Sequence, residues 1–141
     1  MNPLQDAEKI RDMIVRLSRK SRGDLKKRLL KSGIGIMSLP YNVLALLVNR
    51  NLTLQEIAEE MEISPPTLVS VADILESKGF LKRTVDVKDR RKTPLQITKT
   101  GQAVLKKVPK VSKSDSFAAS LSKISKIQRA QLLRSLAFLL N

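Results

Sequence analysis

The segment Asp86 to Thr93 reads DVKDRRKT, and four cations, Lys88, Arg90, Arg91 and Lys92, crowd around the carboxylate of Asp89. Cations at this density suit a polyanion. An arginine at a hairpin tip can enter a DNA minor groove, where narrow A·T-rich tracts concentrate negative potential, and a carboxylate two residues earlier can keep its guanidinium from collapsing onto the protein. That chemistry assigns Arg91 to the groove, Asp89 to its support, and Lys88, Arg90 and Lys92 to phosphates. The plainer alternative is a solvated cationic hairpin whose charge only raises solubility.

Other chemistries are closed by composition. The 141 residues contain no His and no Cys, so Ser-His-Asp and Cys-His nucleophiles, thiol redox sensing, disulfides and Cys/His zinc sites are all excluded. Ser120-Leu121-Ser122-Lys123 fits the S-x-x-K pattern, but its companion motifs are missing and a Ser/Lys-rich stretch generates such matches by chance. The expectation is therefore a protein without catalytic residues, metal or cofactor. With 27 Lys plus Arg against 13 Asp plus Glu, the net charge of +14 instead calls for an anionic partner, nucleic acid or a membrane surface.

The charge is zoned. Lys9 to Lys31 holds ten cations against Asp12 and Asp24, a net of +8, and Lys78 to Lys113 holds twelve against Asp86 and Asp89, a net of +10. Between them, Asn51 to Ser77 has no cation and six carboxylates. The second basic run surrounds the predicted hairpin and is not a disordered tail.

The elements that must position this hairpin follow from periodicity. Ile10, Met13, Ile14 and Leu17 mark one face of a cationic amphipathic helix, which Gly23 is placed to interrupt before Leu25, Leu29 and Leu30. Gly33-Ile34-Gly35 reads as a turn. Ser38 is the expected cap of a nearly all-core helix, with Pro40 in its first turn and an end near Asn49 to Asn51. Thr53 caps a short helix with Leu54, Ile57, Ala58 and Met61 on its apolar face. Ser64 then caps a helix opened by Pro65, with Leu68, Val71, Ala72 and Leu75 as its buried stripe, and loss of such a cap costs about 1 kcal/mol.

Two short helices joined by a tight turn at Glu62 to Ser64 have helix-turn-helix spacing. Gly79 supplies the positive φ that ends the second, and Phe80 to Val85 and Leu95 to Thr98 read as two strands, with Leu81 and, by alternation, Val85 inward. A hairpin placed after a helix-turn-helix is a wing. Thr98 to Val108 returns to helix and Pro109 ends it. Pro109 to Ser125 is a loop or a weak helix around Phe117 to Leu121, and Ile124, Ile127, Leu132, Leu133, Leu136 and Leu140 suggest a final helix. Its apolar surface, like that of the first helix, is more easily buried between two chains than within one.

Over roughly Ser38 to Leu105 the chain resembles the MarR family of winged-helix regulators. The resemblance is carried by LTLQEIAEEMEISPPTLVSVADILESKGFLKR, Leu52 to Arg83, and more specifically by DVKDRRKTPLQITKTGQAVL, Asp86 to Leu105, with Asp89-x-Arg91 before a strand ending in Thr98-x-x-Gly101. It implies a mainly α fold with a small β-hairpin wing, a winged helix-turn-helix with N- and C-terminal dimerisation helices. The corresponding parts are 1–34, an N-terminal helical dimerisation region, 35–101, the DNA-binding region, and 102–141, a C-terminal helical dimerisation region. It further implies a homodimer on double-stranded DNA, relieved in many members by a small, often aromatic, anion.

With its apolar stripe inward, the helix from Pro65 presents Pro66, Thr67, Val69, Ser70 and Asp73, and Ser64 stands at its N-terminus. The expected DNA-binding set is thus Ser64, Pro66, Thr67, Ser70, Lys88, Asp89, Arg90, Arg91 and Lys92. No Arg, Lys, Asn or Gln is available on this helix for bidentate base recognition, so direct readout falls to the hydroxyls and to contact with thymine methyls. The plain alternative for the three hydroxyls is capping and helix surface. An architectural DNA-coating protein with little sequence preference is the competing function.

An effector pocket has few possible walls, because Tyr41, Phe80, Phe117 and Phe138 are the only aromatic residues. Arg16 or Arg19 could receive an anion's carboxylate, or equally face solvent or DNA. A membrane surface is a poor match, since the basic first helix lacks Trp and Phe anchors, and Leu132 to Leu140 is too short to span and carries Arg134. The N-terminal MNPLQDAEKIRD has charges where an export signal needs apolar residues, which makes the cytoplasm the expected location.

Overall fold

The computed structural model describes residues 2–141, so Met1 of the N-terminal segment read above lies outside it. Seven helices and one antiparallel hairpin follow in the order α1 (Pro3–Ser32), α2 (Ser38–Leu46), α3 (Leu54–Met61), α4 (Pro65–Ser77), β1 (Leu81–Arg83), β2 (Leu95–Ile97), α5 (Lys99–Lys107), α6 (Ser116–Ser122) and α7 (Lys126–Leu140). This is the mainly α winged helix-turn-helix expected from the sequence. The chain forms two compact units, one made of Arg28–Lys110 and the other of the chain up to Lys27 together with Val111–Asn141.

In the unit Arg28–Lys110, Tyr41, Leu44, Leu47, Ile57, Leu68, Leu75, Leu81 and Leu95 are completely or almost completely buried. Tyr41 places its hydroxyl in this core and donates to the carbonyl of Val108 at 2.5 Å, and burial pushes its pKa up. The whole predicted stripe of α4, Leu68, Val71, Ala72 and Leu75, is buried. Thr53 caps α3 as expected and forms a reciprocal box with Glu56, each side chain bonding the other's backbone N–H at 3.2 Å.

Four local expectations need correction. Gly23 does not interrupt α1, because its φ is not positive and the surrounding helix formers outweigh its intrinsic cost of about 1 kcal/mol. Met37, not Ser38, is the N-cap of α2, and Ser38 is the first helical residue. That helix ends at Leu46, short of Asn49 to Asn51, where Asn49 takes a left-handed φ of 58° that helix cannot accommodate. Val85 is 64% exposed, because β1 ends at Arg83 and the alternation that would turn Val85 inward ends with it.

The hairpin pairs Leu81 with Ile97, Lys82 with Gln96 and Arg83 with Leu95. Leu52 adds a bridge on the far side of β2, exchanging backbone bonds with Leu95 at 2.7 and 3.3 Å. Its single residue gives no strand periodicity to read. Gly101 permits a close approach that no side chain could share: a Cβ there would collide with the carbonyl oxygen of Phe80 and sit 2.8 Å from Ile97 Cγ1.

In the other unit, the buried carboxylate of Asp24 accepts from Ser116 N at 3.1 Å, Ser116 Oγ at 2.8 Å and Phe117 N at 2.9 Å, fastening the start of α6 to α1. These bonds, that from the Phe117 backbone foremost, hold its pKa below the usual carboxylate value. Ser125 and Gln128 form a second capping box at the head of α7. Among the described residues no helix is long and apolar enough to cross a membrane.

Two outcomes follow from this packing. Gly101→Ala is expected to destabilise by about 1 to 3 kcal/mol, because a backbone carbonyl must move, and denaturant unfolding measures it. Asp24 has a depressed folded pKa, so its contribution is complete above its unfolded value, about 3.9, and is lost as pH falls through the lower folded value. Thermal unfolding followed below about pH 4 should show a component that Asp24→Asn lacks.

Candidate nucleic-acid interface

The helix-turn-helix turn is made by Glu62, which takes a left-handed φ of 54°, and is closed by a bond from Ile63 N to the Ala58 carbonyl at 3.1 Å. A non-glycine residue in this region is costly unless its surroundings impose it. Here the buried Ile57 and Ala58 on one side and Leu68 on the other impose it. Helix α4 then starts at Pro65, whose missing N–H is no loss in a first turn.

Ser64 stands at the N-cap position, but its side chain makes no cap bond; its hydroxyl pairs with that of Thr67 at 2.7 Å. The cap contribution expected from sequence is therefore absent. Proline at the first two helical positions removes two backbone donors, and the Ser64 hydroxyl bonds the Thr67 hydroxyl in place of the remaining Thr67 N–H. Ser64, Pro66, Thr67 and Ser70 are all exposed on this helix start, with Val69 beside them at 43% exposure.

Helix α4 ends in a Schellman arrangement: Phe80 N donates to the Leu75 carbonyl and Gly79 N to that of Glu76, both at 2.9 Å, with Gly79 at a φ of 73°. Thr98 fastens the wing's exit to this point. Its backbone N–H donates to Phe80 O at 3.0 Å, and its Oγ1 donates to Gly79 O at 2.6 Å while accepting from Gly101 N at 3.1 Å. One threonine thus closes the hairpin, caps α5 and meets the end of α4.

The wing tip is a built turn. Asp86 Oδ1 accepts from Lys88 N at 2.8 Å and Asp89 N at 3.2 Å, and the backbone closes through Asp86 N to Lys92 O and Lys92 N to Asp89 O. Asp89 Oδ1 accepts from both the backbone N and the Nε of Arg91, at 3.1 and 3.2 Å. The bond from the Arg91 side chain is the chief reason that the Asp89 carboxyl lies below its usual pKa, and it remains ionised at neutral pH. The Arg91 side chain is 91% exposed while Asp89 is only 32% exposed, so the carboxylate is set back and the guanidinium stands out. Lys88, Arg90 and Lys92 are exposed around it.

The structure therefore places Lys88 to Lys92 on one tip, and Ser64, Pro66, Thr67 and Ser70 on the first turns of α4. Sequence reading missed Asp86, which organises the tip; an Asp two residues before a loop's first cation is an Asx-turn signal that could have revealed it. It also missed Arg83, bound to Asp73 and Glu76 across the wing stem.

Residues 41–93 match the model of the MarR family. The chain is 40% identical over 58 residues to the HTH-type transcriptional repressor MdtR of Bacillus subtilis (strain 168), covering 41% of this chain and 37% of MdtR. It thus spans well under half the length of that curated relative. The fold is similar to that of the transcriptional regulator BldR from Sulfolobus solfataricus, with a TM-score of 0.81 at 24% identity over 99% of this chain and 98% of BldR. It is also similar to the transcriptional repressor CouR, solved bound to a 23-mer DNA duplex, with a TM-score of 0.74 at 25% identity over 92% and 90% of the two chains.

Proposed function

We propose, from the match of residues 41–93 to the MarR family, that this chain is a sequence-specific DNA-binding transcriptional regulator of that family acting as a homodimer. The observation that carries the reading is the Asp89–Arg91 pair, which holds one guanidinium clear of the protein at the tip of a closed turn. Such a group suits a narrow minor groove, with Lys88, Arg90 and Lys92 on the flanking phosphates. The first turns of α4 suit the major groove, where Ser64, Thr67 and Ser70 offer hydroxyls and Pro66 and Val69 apolar contact for thymine methyls. In this reading 35–101 binds DNA, while 1–34 and 102–141 dimerise.

Dimerisation is supported by what the second unit leaves uncovered. Ile10, Met13, Ile14 and Leu17 of α1 are each 45–60% exposed, and α7 buries none of its residues, with Leu133, Phe138 and Leu140 standing out by 70–87%. A second copy covers such faces by two-fold symmetry and sets two half-sites about one helical turn apart. A small anionic effector, implied by the family resemblance, completes the proposal.

The plain face of α4, with no Arg, Lys, Asn or Gln reader, favours the second reading, an architectural protein that coats DNA. Competition between the chain's own upstream DNA and random duplex separates the two. The regulator prefers its site by about 10³-fold or more at physiological salt, whereas a coating protein shows no preference. In the same assay Arg91→Ala is expected to weaken binding about tenfold with the unfolding midpoint unchanged, and unchanged affinity would remove the wing from the mechanism. Truncation after Ser122 removes α7 and is expected to yield monomers by sedimentation; a truncated dimer would sink that assignment.

A further inference from the structure

Arg83, the last residue of β1, spreads its guanidinium over two carboxylates of α4, with Nη1 donating to Glu76 Oε1 at 2.6 Å and Nη2 to Asp73 Oδ1 at 2.9 Å. Thr67, Ser70, Asp73 and Glu76 follow one another at intervals of three, along a single ridge of α4. The ridge that begins with hydroxyls suited to base edges therefore continues into two negative charges. Unopposed, those charges repel the phosphates that the helix must approach.

We infer that Arg83 is a positioning residue of the DNA interface and not one of its phosphate contacts. Its fork is occupied by the two carboxylates, which takes it out of the basic run Lys78 to Lys113 as a phosphate ligand. It leaves the ridge with one net negative charge in place of two, and joins the wing stem to the C-terminal half of α4. The side chains of Arg83, Asp73 and Glu76 are 34%, 60% and 41% exposed, and ion pairs this open add little to stability. Variants at these positions should therefore fold.

The inference rests on the DNA-binding reading, and a mutant cycle tests it separately. Affinity for the chain's upstream duplex is measured over a salt series for the wild type, Arg83→Gln, Asp73→Asn with Glu76→Gln, and all three together. Arg83→Gln is expected to weaken binding about tenfold while leaving the salt slope unchanged, since no phosphate contact is lost. Removing the two carboxylates is expected to restore that loss in the Arg83→Gln background and to change wild-type affinity by less than about threefold.

A slope reduced by about 0.9 without rescue makes Arg83 a phosphate contact and overturns the inference. Equal gains in both backgrounds reduce the pair to a general charge effect, and an unaltered Arg83→Gln leaves only a surface ion pair; either result also overturns it. A wild type that binds no duplex at any salt concentration brings down the DNA reading first, and this inference with it.

Discussion

The carbonyl groups of Gly79 and Phe80 are the point on which the unit Arg28–Lys110 depends. Both face the start of α5, and Thr98 binds them through its backbone and its hydroxyl. Gly101 lets the helix come close enough for those bonds to form. Helix α4, the hairpin and α5 are thereby joined within a few residues, so that the wing leaves from a fixed place relative to the helix in front of it. Leu81, Leu95 and Ile97 seal the junction with buried apolar surface, a large and undirected stabilisation to which the threonine adds direction.

Charge is distributed around that junction in a way that its total conceals. The +14 of the chain describes a protein attracted to polyanions, but Asn51 to Ser77 has carboxylates and no cation. The structure pairs three of those carboxylates: Arg50 makes two hydrogen bonds to Glu60 at 2.7 and 2.8 Å, and Arg83 takes up Asp73 and Glu76. Asp89 is a different case, because its partner Arg91 stays almost wholly exposed. A carboxylate can therefore withdraw a cation from use or present it, according to how much of the guanidinium stays open: the Arg83 side chain is 34% exposed and that of Arg91 91%.

The other unit depends on a single carboxylate in a comparable way. Asp24 serves as the cap of a helix more than ninety residues away in sequence, satisfying the first backbone donors of α6. Asp115 occupies the N-cap position of α6 but makes no side-chain cap bond there; it accepts instead from Ser112 N at 2.9 Å. With α6 fastened to α1, Ile10, Met13, Ile14 and Leu17 of α1 and the apolar residues of α7 remain open, the surface on which the proposed homodimer rests.

Much of this was legible in the sequence. The stripe of α4, the cap at Thr53, the turn at Glu62, the glycine stop at Gly79 and the cationic tip all follow from local spacing, because periodicity, capping and positive φ depend on residues a few positions apart. The exposure of the tip cations and of Pro66, Thr67, Val69, Ser70 and Asp73 on α4 follows from the same local spacing. What sequence alone missed depends on distance. Ser64 lost its cap role to a hydroxyl partner, Val85 lost its place when the strand stopped, and Leu52 paired with a residue forty-three positions on. Arg83 read as one more cation, and Asp24 as one of two carboxylates in the basic run Lys9 to Lys31. Only the tertiary structure could decide these cases, because the role of a charged or polar group is set by the partner that folding brings to it, and composition and periodicity carry no record of that partner.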